Sequence, residues 1–211
     1  MSTLADYYDL LLPELPSCTT AMVDLHLRET AREFCLKTGA WRLQFTDVNL
    51  VASQAAYALI VPVADSEVVR LTKLIVNAEL LWQDADIDGR NIATSKYARN
   101  SPPFELSADL TQITLTDCEV PTVAITAGLQ VVGAIKPTAT ATTLPDFLKT
   151  EYSDAIRCGV LSRLMLMGKK PWGDRPLATE YANKWREQLN FAAYQSQVGN
   201  TRQQLRVKKW G

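Results

Sequence analysis

The residues whose types and spacing come nearest to a working site are Asp84, Asp86 and Asp88, with Gly89 directly after them. Carboxylates at the first, third and fifth positions and glycine at the sixth open a calcium-binding EF-hand loop. The twelfth position is Ser95, however, where a bidentate Glu is required, and Glu79-Leu-Leu-Trp82 sits among strand patterns rather than in a flanking helix. The segment reads as an acidic surface turn between strands, with a calcium-dependent module as the competing reading. His26 is the single histidine, so any His-dependent dyad or triad must use it. It stands mid-helix with no Gly-framed Ser and no second metal ligand beside it, and reads as a surface or half-buried helix residue. Gly168-Lys169 has the ending of a phosphate loop, but Arg163 replaces its first glycine and Lys170 its Ser or Thr. Tyr152 with Asp154, and Asp146 with Glu151, could be acid/base pairs, although carboxylates at a helix start ordinarily complement the helix dipole. No enzyme, catalytic residue, metal site or cofactor is expected.

The stronger signal is charge. The formal net charge is only −1, yet residues up to Ile156 hold 11 basic and 20 acidic side chains, and those from Arg157 onward hold 11 basic and 3 acidic. Beyond Gly199 the chain carries four cations, no acid and three spaced apolar residues, Leu205, Val207 and Trp210. Blocks of like charge mark interaction tails. A tail that binds only phosphate has no use for Leu205 and Val207, so docking on a partner's acidic or apolar surface is favoured over a nucleic-acid arm. The candidate partner contacts are Leu205, Arg206, Val207, Lys208, Lys209 and Trp210. The alternative function is a small accessory nucleic-acid-binding protein using the same tail.

The elements that must position these residues follow from periodicity. With 211 residues, 47% hydrophobic and 21% charged, the chain can bury a core, and no apolar stretch approaches the roughly 20 residues of a bilayer crossing. No membrane association is expected. The N-terminus carries acid rather than Lys or Arg, so no secretory signal is expected and the chain should stay in the compartment where it is made. The four cysteines, Cys18, Cys35, Cys118 and Cys158, form no close pair and read as reduced and structural. Leu4 to Leu12 predicts a short helix and turn. Thr19 or Thr20 can cap a helix carrying Leu27, Ala31, Phe34 and Cys35 on one face and stopping at Gly39. Period two then governs Trp41, Leu43 and Phe45, then Tyr57, Leu59 and Val61, a β-branched run from Val68 to Val76, a short alternation at Ile113 and Leu115, and a long one from Val123 to Ile135. A polar linker, residues 137–143, precedes a helix capped by Thr143 with Pro145 in its first turn and running through Met167. Asp174 caps a last helix with Leu177, Ala178, Tyr181, Ala182, Trp185, Leu189 and Ala192 on its apolar face. The expected fold is α+β: an N-terminal helical segment (1–40) and a C-terminal helix pair (138–199) forming a helical bundle, an inserted antiparallel β domain (41–137), and an extended docking tail (200–211).

The run Leu144-Pro145-Asp146-Phe147-Leu148, with Tyr152, Ala155-Ile156, Gly159, Leu161 and Leu164, then Lys170-Pro171-Trp172, Asp174, Leu177-Ala178, Tyr181, Trp185 and Leu189-Asn190, resembles the C-terminal half of the head-to-tail adaptor proteins of tailed bacteriophages. Leu15-Pro16, Ala31, Glu33-Phe34-Cys35 and Trp41 are similar to that family's first helix and its exit, and Leu205-Arg206-Val207 to its basic extension. Residues 48 to 137 match in pattern only. The resemblance implies a virion protein made in the host bacterial cytoplasm and located at the head-tail junction. There it would form a ring, twelvefold in the family, beneath the portal, joined to tail or nozzle proteins and surrounding the passing double-stranded DNA without sequence-specific binding. It also implies that Leu205, Arg206, Val207 and Trp210 contact the portal, and that Trp172 with Pro171 braces the inter-helix loop. Acidic surface facing the channel would repel DNA phosphates and let the genome slide.

Overall fold

A computed structural model describes residues 1–77, 79–83, 104–115 and 120–198. The fold is mixed α+β. Strand β1 (Ser2–Thr3) leads into a 3-10 turn, the short helix α1 (Tyr8–Leu11) and a second 3-10 turn, and then α2 (Thr20–Thr38). Seven strands follow: β2 (Arg42–Gln44), β3 (Val48–Leu50), β4 (Ala56–Ala58), β5 (Ser66–Val76), β6 (Glu79–Gln83), β7 (Phe104–Leu106) and β8 (Gln112–Leu115). The long β9 (Ile125–Pro137), β10 (Thr143–Leu144), α3 (Asp146–Thr150), α4 (Ser153–Met165) and α5 (Arg175–Val198) complete it. No helix among the described residues is long and apolar enough to cross a membrane.

Helix α2 occupies the expected segment. It ends because Gly39 takes the left-handed conformation at φ 59° and donates its N–H to the Cys35 carbonyl at 2.9 Å, a C-cap that a Cβ would strain. Thr19 stands at the N-cap without a side-chain capping bond, so the expected hydroxyl cap is not formed. Among the described residues, strands β2 to β9 divide into two antiparallel sheets, and β1 with β10 forms a third. One is built on β9, which pairs with β2 and β3 along one edge and with β5 along the other, β6 lying outermost; the smaller runs β4-β8-β7. On β9 the period-two pattern places Leu129, Val131, Gly133, Ile135 and Pro137 on the buried face, which α2 covers. Val123, expected within that alternation, precedes the strand and is exposed. Arg32 of α2 ion-pairs with Glu67 of β5 at 2.6 Å, and Lys136 of β9 adds a second cation to the same carboxylate at 3.4 Å.

Two expectations are corrected at the junction that follows. Residues 137–143 are not a free linker: Pro137 pairs with Ser66, the Thr138 N–H donates to the Asp65 carbonyl at 2.8 Å, and Ala141 is buried. Nor does one helix run from Thr143 to Met167. Thr143 is committed to β10, opposite Thr3 of β1, so it cannot cap, and Pro145 in an extended conformation is the N-cap of α3. The helix breaks at Glu151–Tyr152, where Tyr152 leaves helical geometry. Its ring packs 4.8 Å from that of Phe34 and edge-on to Phe147 at 6.0 Å. This aromatic contact across three helices outweighs the local helix preference of the two residues.

Helix α4 is buried on nearly all sides, packs against α1, α2, α3 and α5, and carries Ile156, Val160, Leu161 and Leu164 fully inside. The crossing is close because residue 159 is glycine: a Cβ there would lie 2.5 Å from Thr30 Cγ2 and 3.0 Å from the Trp185 ring. One continuous cluster of buried side chains runs from Tyr7 and Leu11 through α2 and α4 to Leu74 and Leu129 of the sheet. Cys35 and Cys158 are free, buried thiols within it, as expected of small hydrophobes.

Candidate functional site

The six tail residues from Leu205 to Trp210, and Asp84, Asp86 and Asp88, lie outside the described residues. The surface from which the tail departs is described, and it forms the candidate site. Helix α5 starts as expected, with the Asp174 carboxylate accepting the Leu177 N–H at 3.0 Å. Ala178, Tyr181, Trp185, Leu189 and Ala192 form its buried stripe. A second stripe at i, i+3 and i+7, Gln188, Phe191 and Gln195, flanks that seam and faces the first turn of α4.

Between them lies an open groove of about 530 Å³, walled on the α4 side by Glu151, Tyr152, Ser153, Asp154 and Ala155. Glu151 and Tyr152 stand at the break between α3 and α4, where Glu151 is exposed and Tyr152 is half-buried with its ring against Phe34 and Phe147. The Tyr152 hydroxyl donates to Gln195 Oε1 at 3.3 Å, joining the two walls, and burial pushes its phenol above the ordinary range. Glu151 and Asp154 are both exposed, and among the described residues no cationic side chain lines the groove. At its outer edge Phe191 is 61% exposed and the neighbouring Tyr194 53%. The last described turn of α5 is anchored by Ser196, whose hydroxyl bonds the Thr38 carbonyl at the end of α2. The end of α5 is therefore held beside an acidic, aromatic groove. Its side chains offer carboxylate and amide acceptors and an aromatic face, which suits a segment that is both cationic and apolar.

The other sequence candidates are dispersed. His26 is half-buried on α2, its Nδ1 3.3 Å from Glu29 Oε2. Arg163 ion-pairs across to Glu33 and Glu29, far from any phosphate-loop role. Lys169 adopts φ 62° in the loop after α4, and the Lys170 ammonium lies 5.8 Å over the ring of the buried Trp172, while Pro171 is exposed. Asp146 accepts a hydrogen bond from the Ser2 hydroxyl at 2.7 Å, away from Glu151, so that pair does not converge. Tyr152 and Asp154 do share the groove. Among the described residues no three His, Cys, Asp or Glu side chains are grouped to hold a metal ion.

Two features escaped the sequence reading. One is the groove itself, whose signal is Phe191 and Tyr194 standing off the apolar stripe of an amphipathic helix. The other is a node at Glu14: Arg157 of α4 ion-pairs with one carboxylate oxygen, and the Tyr181 hydroxyl of α5 donates to the other at 2.5 Å. The Arg157 guanidinium also lies 5.7 Å from the Tyr181 ring centre. The accepting carboxylate, with burial second, pushes the Tyr181 phenol up to about 12. Compared with protein-family models and with curated proteins, the chain matches none.

Proposed function

We propose that the chain is a head-to-tail adaptor of a tailed bacteriophage, a structural virion protein that forms a ring under the portal and joins the DNA-filled head to the tail. In this reading α1, α2, α4 and α5 make the helical bundle, the β unit is its insertion, and residues 200–211 are the arm that docks on the portal. The observation carrying it is the composition of that arm, four cations and three apolar residues without an acid, set at the end of a 24-residue helix whose last turns hold two exposed aromatic side chains. Function is then assembly: with many arms in one ring, each docked arm raises the effective concentration of the rest, so weak single contacts become a stable joint. The acidic part of the chain, facing the channel, would keep passing DNA from sticking. Removing residues 200–211 is expected to abolish portal attachment and leave the rest of the chain folded, with a cooperative thermal transition. Normal attachment by that truncation would defeat the proposal.

A further inference from the structure

The groove and the tail are complementary in charge and in apolar character, and they belong to the same chain. The groove presents Glu151, Asp154 and the exposed face of Phe191; residues 201–211 carry Arg202, Arg206, Lys208 and Lys209 together with Leu205, Val207 and Trp210. The geometry of the exit favours an intramolecular match. From the end of α5 at Val198 back to Gln188 is about 15 Å of helix, and the 13 residues from Gly199 to Gly211 can span about 40 Å when extended. Gly199 and Asn200, residue types that favour turns, stand between α5 and the tail in the sequence. An attached segment of that length has an effective concentration in the millimolar range at a site beside its own anchor. Two carboxylates, with no cation among the described lining residues, are a poor seat for nucleic acid.

We infer that in the free subunit residues 201–211 fold back into this groove, with their cations against Glu151 and Asp154 and their apolar side chains on Phe191. The arm is thereby held by its own subunit until a better partner displaces it. This inference goes beyond the adaptor reading, because it concerns the chain alone and stands or falls without a portal.

The test uses the full chain, alone and dilute, treated with a water-soluble carbodiimide. That reagent joins a carboxylate to a lysine amine as an amide with net loss of water. Peptide mapping of the monomeric product is expected to show Lys208 or Lys209 joined to Glu151 or Asp154. The yield should fall several-fold at 1 M salt, where the Debye length shrinks to about 3 Å. The Lys184–Glu180 pair, 2.6 Å apart on α5, serves as the internal control. With that control linked, three results would overturn the inference: no link from the tail lysines, links to other carboxylates, or links found only between two copies.

Discussion

Gly159 lets α4 lie close to both α2 and α5, and the absence of a Cβ there sets the spacing of these three helices. Substitution by Ala adds a carbon 2.5 Å from Thr30 and 3.0 Å from Trp185, and overpacking of a dense core costs about 1–3 kcal/mol. Gly159→Ala should therefore lower the melting temperature by roughly 2–10 °C in a chain of this size, even though Ala is the better helix former. A calorimetric scan showing an unchanged or raised Tm would mean that α2 and α5 are not held at that distance. Glu14 is the other residue on which several elements depend. Because the Tyr181 phenol titrates higher in the folded chain than its ordinary value near 10, the folded state holds that proton more tightly. This contribution to stability is complete below pH 10 and is lost as the pH rises toward 12. Glu14→Gln removes the acceptor charge and should bring the phenol titration back toward 10, read by ultraviolet difference absorbance. Neither residue was legible in the sequence as structural. Gly159 sits in an apolar run with nothing to show what crosses it, and Glu14 meets partners 143 and 167 positions away.

At the scale of elements, legibility followed periodicity. α2, α5 and β9 were readable because each buries one face against a large surface, and so repeats at 3.6 or at 2. The Asp174 cap was readable because its chemistry is local: Asp174→Ala should cost about 1 kcal/mol, and Asp174→Asn, which keeps the accepting oxygen, should cost much less, both measured by thermal melting. Equal losses in the two variants would show that the carboxylate acts through charge and not as the acceptor of the Leu177 N–H. What was not readable depends on distant partners. Glu151 and Tyr152 carry no helix-breaking signal, and the break between α3 and α4 exists because Phe34 and Phe147 hold the Tyr152 ring. The β1–β10 pairing is two residues long on each side and has no period to detect. Since the groove includes Glu151 and Tyr152 at that same break, it too became visible only in three dimensions, apart from the exposed aromatics on α5.

The whole molecule combines one core with two differently charged portions of chain. The core joins helices and sheet into a single support, and the excess of acid before Arg157 and of base after it is a matter of partners rather than of fold. In the adaptor reading the support is rigid, the joint is the tail, and the groove holds the tail until it is needed. The most direct measurement is the mass of the portal particle, by light scattering or electron microscopy, with and without this chain, using the portal protein from the same genome. The account predicts a heavier particle bearing a ring of the chain, and no added mass when residues 200–211 are removed. A portal particle of unchanged mass with the full chain, at low and high salt alike, would contradict it.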